Sequence, residues 1–298
     1  MSWQLRLLNA QLRLITKRRI GRTASPQEAA LQVERSSQLA WVPPYLRVFE
    51  RPGGLTWVAC GTCKSGKAIL WFHGGGYISG SPWTHRAMLG ALSCDAQVEV
   101  CAPRYPLLQE ARFPAQFEAA VTAWDRLRAQ GYHPRDIVLG GDSAGGGLAL
   151  ALLGALCRRG ERPTGAVVFS PWTDLALTGA SLRENADSDP LLPPERIGDL
   201  ATLFLDGADP TDPRASPLYA DFPDCPPVFL AWAETEILRD DCARMAERLR
   251  GFGARVETEV HPTAPHVWPL FQGWVPEGRA TLKRAARFVQ TSFAAISR

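Results

Sequence analysis

Leu139-Gly140-Gly141-Asp142-Ser143-Ala144-Gly145-Gly146-Gly147 lies between a strand-like run, Asp136-Ile137-Val138-Leu139, and an apolar helical stretch reaching Arg159. The spacing Gly141, Ser143, Gly145 is G-x-S-x-G. A serine at a tight strand-to-helix bend sits on strained backbone, and its neighbours must be small to clear its Cβ and the incoming helix. The bend lifts the hydroxyl above the sheet edge, and the positive end of the helix favours negative charge there. Ser143 is therefore read as a nucleophile. The competing reading is an ordinary glycine-rich turn, and the strand before it and the helix after it argue against that.

Working outward, strand-like and helix-like segments alternate from about residue 67. Ala68–Phe72, Val98–Cys101, Ala166–Phe169 and Val228–Ala231 read as strands. Thr84–Ala96, Phe113–Gln130, Asp240–Phe252 and Pro276–Ser297 read as helices. Strands separated by helices of this length imply right-handed crossovers and a mostly parallel sheet, so the fold class is α/β. Two regions depart from the alternation. Residues 1 to about 45 read as helical with no strand. Residues 180 to about 215 are rich in Pro, Asp and Leu, with one helical stretch, Pro194–Leu205, and inserts of this kind often form lids. No repeat or low-complexity linker supports a second domain.

The composition fits a soluble globular chain. Of 298 residues, 46% are hydrophobic and 21% charged, and 33 Lys plus Arg against 30 Asp plus Glu leave a net charge of +3. Disordered, collagen-like and coiled-coil classes are excluded, and there is no clustered basic face for nucleic acid. The seven cysteines have no repeating spacing, and the Cys60/Cys63 CxxC has no second ligand pair beside it. They read as reduced thiols in a reducing, cytoplasmic compartment. No apolar stretch reaches the ~20 residues of a spanning helix. At the N-terminus Leu5, Leu8, Leu12 and Ile15 recur at helical spacing among Arg6, Arg13, Lys17, Arg18 and Arg19, with no acidic residue before Glu28. The reading adopted is a helix packed on its own protein with solvated basic residues. A transit peptide or a surface-seeking helix shares the pattern.

A second glycine segment, His73-Gly74-Gly75-Gly76-Tyr77, also follows a strand. Acyl transfer develops an oxyanion, and fixed backbone N–H groups on glycines can approach it with no side chain in the way. A nucleophilic serine needs a base, and the chain has five histidines: His73, His85, His133, His261 and His266. His266, on a loop after the last strand, is favoured over His261, which follows the strand directly. The carboxylate that orients the base is sought after the strand ending at Ala231, where Glu234, Glu236, Asp240 and Asp241 are candidates. Tyr77, Trp83 and Trp268 flank the motifs and are candidates for lining a pocket, with scaffold packing as the competing role. No cluster of metal ligands is present, so no metal and no organic cofactor is implied.

His73-Gly74-Gly75-Gly76, Gly141-Asp142-Ser143-Ala144-Gly145 and His266-Val267-Trp268 together resemble the hormone-sensitive-lipase-like, or bacterial family IV, carboxylesterases. The likeness extends to Arg183-Glu184-Asn185-Ala186-Asp187, Asp189-Pro190-Leu191 and Ala215-Ser216-Pro217-Leu218-Tyr219-Ala220-Asp221, and covers nearly the whole chain. It implies one α/β-hydrolase domain over residues 1–298, with a core of about 46–179 and 216–298 and a helical cap of about 1–45 and 180–215. It implies an oxyanion hole drawn from Gly74, Gly75, Gly76 and Ala144, without saying which glycines donate. The order serine, acid, histidine is the one expected of that fold. Where many members read D-P-L-x-D, this chain reads Glu236-Ile237-Leu238-Arg239-Asp240, which puts Glu236 at the acid position. The resemblance implies a serine carboxylesterase for short- to medium-chain acyl esters, with an amidase or deacetylase, or a receptor without catalysis, as alternatives. The expected partner is a small-molecule ester, with no nucleic acid and no stable membrane insertion; a homodimer is left open.

The acid assignment has a direct test. Glu236→Gln is expected to lower turnover by about 10²–10⁴-fold, and Asp240→Asn to leave it within a few-fold. Loss in Asp240→Asn alone would reverse the assignment.

Overall fold

Strand β3 (Ala68–Phe72) is buried at all five positions, and its side chains alternate between two separate cores. Ala68, Leu70 and Phe72 enter one, Ile69 and Trp71 the other, as a two-residue period requires. The same double burial marks β5 (Ile137–Asp142), β6 (Gly165–Phe169) and β7 (Val228–Ala233). Strands apolar on both faces need helices on both sides. On one side lie α4 (Pro82–Ala96) and α10 (Pro276–Ile296), contributing Met88, Leu89, Leu282, Ala285 and Val289. On the other lie α5 (Ala115–Ala129), α6 (Ser143–Arg158) and α9 (Arg239–Gly251), contributing Trp124, Leu148, Leu152, Met245 and Leu249. Each of the Leu, Val and Met side chains among these, fully buried, contributes roughly 1.5–3 kcal/mol.

This computed structural model describes residues 1–23, 25–51 and 54–296. Ala24, Pro52, Gly53, Ser297 and Arg298, which fall within the expected core, cap and last-helix ranges, lie outside the described residues. Among the described residues the sheet has eight strands in the order β1-β2-β4-β3-β5-β6-β7-β8, including β1 (Leu46–Arg51), β2 (Leu55–Cys60), β4 (Glu99–Cys101) and β8 (Val256–His261). From β4 to β8 every pairing is parallel, as the alternation implied. The sequence reading missed the antiparallel edge of β1 and β2. In β1, Leu46-Arg47-Val48-Phe49-Glu50-Arg51 is only half-buried, so it lacks the continuous apolar run that marks the central strands.

Two helical segments stand outside the alternation of strands and helices. The first comprises α1 (Trp3–Gln11), a π-helical turn over Leu12–Thr16, α2 (Lys17–Arg22) and α3 (Pro26–Ser37). The second, between β6 and β7, holds α7 (Ser181–Glu184) and α8 (Pro194–Leu205). They are tied to one another: Lys17 Nζ donates to the Ala186 and Asp189 carbonyls, Arg13 to the Ser188 carbonyl, and Arg196 to the Thr23 carbonyl. Through Ile197, Ala201, Phe204 and Leu205, α8 joins the larger core.

The bend between β5 and α6 depends on missing side chains. A Cβ on Gly145 would collide with the carbonyl oxygens of Phe72 and His73, both backbone atoms that cannot give way. Gly145→Ala is therefore expected to cost about 2–4 kcal/mol in chemical denaturation. Gly251→Ala, with no atom within 4 Å of the added methyl, should instead stabilise by up to about 1 kcal/mol. Equal effects at the two sites would contradict the close approach.

Candidate active site

Ser143 opens α6 with φ of +53°, in the left-handed region that serine rarely occupies. The bend directs its Oγ to His266, and Oγ–H donates to Nε2 at 2.8 Å. The other ring nitrogen, Nδ1–H, donates to Glu236 Oε2 at 2.6 Å. With a carboxylate on Nδ1, the tautomer is set and Nε2 is left to accept. The three groups expected from sequence thus meet in one hydrogen-bonded chain.

The other acid candidates face elsewhere. Glu234 is exposed. Asp240 Oδ2 accepts the Ser181 amide at 2.9 Å, and Arg239 pairs with it at 2.9 Å. Asp241 Oδ2 accepts the amides of Thr173 and Asp174, each at 2.8 Å. Of the remaining histidines, His261 ends β8 and accepts the Thr263 amide at 3.1 Å, and His133 is exposed. His73 is buried, which with the nearby His85 charge pushes its imidazole down to about 3.

The acid and base loops are held by groups that sequence reasoning did not single out. Glu236 Oε1 accepts the Ala233 amide at 2.7 Å and the Ser170 hydroxyl at 2.8 Å, and that hydroxyl accepts the Val267 amide at 3.2 Å. One serine therefore links the carboxylate to the residue after His266. Asn185 Nδ2 donates to the carbonyls of Glu234 and Glu236, and Asp189 Oδ2 accepts the Ile237 amide at 2.9 Å. Asn185 and Asp189 stood within the segments that carried the family likeness, but nothing local assigned them a partner. Ser170 had no such signal.

Beneath the serine lies a second buried carboxylate. Asp142 Oδ1 accepts Trp71 Nε1–H at 3.0 Å, while Oδ2 accepts the Gly74 amide at 3.1 Å and lies 3.1 Å from His85 Nε2. Burial alone would raise this carboxyl, but the charge and hydrogen bond of His85, with Trp71 and His73, bring it below the usual range. Of the three glycines in the loop, Gly74 already has a partner for its amide in Asp142. Gly75 and Gly76, with φ of +119° and +61°, remain, together with Ala144 in the first turn of α6, where amides lack a carbonyl partner. Tyr77 is only 2% exposed, donates to the Ala144 carbonyl at 3.0 Å and stacks on Phe204 at 4.1 Å, contacts that fit the scaffold role. Trp268 is buried and donates to Thr281, and Trp83 is exposed against Arg86.

His266 is subject to opposed forces. Its burial disfavours the imidazolium, but the charge and hydrogen bond of Glu236, with Asp189 and Asp142 beyond, raise it above the ordinary 6.5. Among the described residues no group of three His, Cys, Asp or Glu side chains could hold a metal ion.

Comparison with known proteins points the same way. Residues 69–270 match a family described as having the alpha/beta hydrolase fold. The chain is 38% identical to an acetyl-hydrolase of Streptomyces hygroscopicus over 77% of each chain. It is 35% identical to an esterase of Acinetobacter venetianus, covering 74% of this chain and 73% of that one. A crystal structure of an esterase from the bacterial hormone-sensitive lipase family superposes with a TM-score of 0.92 at 34% identity, covering 98% of this chain and 99% of the other.

The electrostatics can be read by NMR titration. The His266 ring is expected to titrate above 6.5 and to move down in Glu236→Gln, which removes the main favourable charge. An unchanged midpoint in that variant would mean that Glu236 does not set it.

Proposed function

This chain belongs to the bacterial hormone-sensitive-lipase-like esterases of the α/β-hydrolase fold and is a carboxylic ester hydrolase, and from that premise we propose that Ser143, His266 and Glu236 are its catalytic triad. The observation that carries the proposal is the continuous pair of bonds, 2.8 Å from Ser143 to His266 and 2.6 Å from His266 to Glu236.

His266 Nε2 takes the Ser143 proton as Oγ attacks the ester carbonyl carbon. Glu236 stabilises the imidazolium formed, and the amides of Gly75, Gly76 and Ala144 receive the oxyanion. Collapse breaks the ester C–O bond, and His266 returns its proton to the departing alkoxide. Water, deprotonated by the same nitrogen, then attacks the acyl-enzyme and releases the acid. No step calls on a metal or cofactor.

The segments 1–45 and 180–215 are proposed to act as a cap, and the substrates to be short- to medium-chain acyl esters. The supporting feature is Leu200 of α8, whose Cδ1 lies 3.1 Å from where a Cβ on Gly76 would stand. A cap side chain that close to the oxyanion donors leaves little room for a long acyl chain. The name acetyl-hydrolase, given to one relative, agrees with a small acyl group. A cytoplasmic location is proposed on the seven cysteines, all free thiols. Among the described residues no helix is long and apolar enough to cross a membrane.

Two measurements test this. On a p-nitrophenyl ester series, kcat/KM should peak between acetyl and hexanoyl and fall at least about tenfold by dodecanoyl, with Ser143→Ala about 10⁴–10⁶-fold down throughout. Turnover of none of these esters would refute the substrate class. The base must be neutral, and its pKa is raised, so activity should be lost as pH falls through a midpoint above 6.5. A midpoint well below that value would remove His266 from the role.

A further inference from the structure

The N-terminal helical segment has two apolar faces, and its own protein covers one. Leu5 and Leu12, seven residues apart, are buried. Trp3, Leu7, Ala10 and Leu14, at i, i+4, i+7 and i+11, share the opposite face, with Trp3 66%, Leu7 63% and Leu14 59% exposed. Arg6 and Arg13, also seven apart, edge this stripe, and Arg18, Arg19 and Arg22 extend the charge into α2; all five are exposed. No acidic residue occurs before Glu28. The segment is anchored on its inner side: Asn9 Nδ2 donates to the Thr263 carbonyl at 2.7 Å, three residues before His266, and Ser2 bonds Glu277. The stripe therefore faces outward from a segment fixed over the base loop.

We propose that this outer face docks on an anionic lipid surface. An apolar stripe ending in an exposed tryptophan, bordered by arginines in a segment that carries no acid of its own, matches the helix that lies in the headgroup plane. A second copy of this chain fits less well, because a two-fold contact would set the stripe against itself and bring Arg6 and Arg13 close to their own copies. Docking so placed would hold the cap and the base loop at the lipid interface, where acyl esters partition. That delivery rests on the ester reading, while docking itself does not.

The test is flotation of the full chain with vesicles of phosphatidylcholine alone and of equal parts phosphatidylcholine and phosphatidylglycerol, at low and high salt. Wild type should float with the anionic vesicles, and high salt or neutral lipid should reduce binding by about tenfold or more. Trp3→Ser/Leu7→Ser/Leu14→Ser and, separately, Arg6→Glu/Arg18→Glu should each bind at least about tenfold less. Both should keep wild-type turnover of p-nitrophenyl acetate, which reports folding. If the first variant fails to fold, the arginine pair carries the test. Wild type that stays with the soluble fraction, variants that float as well as wild type, or a concentration-dependent dimer abolished by the triple change would each overturn the proposal. Vesicle binding without ester turnover would sink the hydrolase reading and leave the docking intact.

Discussion

The site depends on a serine held at φ of +53° between β5 and α6. A residue in this region costs about 1–3 kcal/mol and persists only where its surroundings leave no alternative. Here the surroundings are backbone against backbone. The first turns of α6 approach the carbonyls of Phe72, His73 and Trp172 so closely that a Cβ on Gly145 or Gly147 could not be accommodated. That contact sets the helix directly against the end of β3, which is what brings the glycine loop and the serine to the same place. The start of the helix also places the Ala144 amide in its first turn, where N–H groups lack a carbonyl partner.

Similar strain recurs at the same end of the sheet. Tyr77, Ser170 and Val267 also have positive φ, at +61°, +45° and +49°. Tyr77 props Ala144, Ser170 bridges Glu236 to Val267, and Val267 follows the base. Ser143 and Ser170 directly follow their strands, whereas Tyr77 and Val267 lie within the loops after β3 and β8. Groups braced in this way leave little reorganisation for the reaction itself. Three carboxylates act on one imidazole in this setting: Glu236 by contact, Asp189 and Asp142 through space. Burial raises Asp189, as does the neighbouring Glu236, while the charge of His266 and then the amides of Leu192 and Ile237 oppose the shift. The imidazole's own charge and the peptide dipoles thus temper the cost of grouping acids around a base.

What the sequence disclosed follows the range of the forces involved. The continuous apolar runs of β3, β5, β6 and β7 are local, and their parallel order followed from the helices between them. The edge strand β1 was invisible because half of its surface is wet. Ser143 and the glycine loop carry their constraint in adjacent residues and could be read directly. Glu236 could not: four acids occur within eight residues, and the fold chooses among them by turning Asp240 to Ser181 and Asp241 to Thr173. Only the family likeness separated them beforehand. The brace around Asp142 joins Trp71, Gly74 and His85, which lie on a strand, a loop and a helix. No spacing pattern encodes such a convergence, and for that reason the three glycines of the loop could not be told apart in the sequence.

The first helix shows the same limit in another form. Its apolar residues at helical spacing were read as one packing face, Leu5, Leu8, Leu12 and Ile15. The fold buries Leu5 and Leu12 and leaves Ile15 60% exposed. A pattern of period near 3.6 says that a face exists, not which side the protein will cover. The choice is made by tertiary ties: Asn9 to Thr263, Arg13 to Ser188 and Lys17 to Ala186 and Asp189. Those bonds turn Leu5 and Leu12 inward and necessarily turn Trp3, Leu7 and Leu14 out. The polar ties that fasten this segment over the histidine and acid loops are thus also what gives it an outward apolar face.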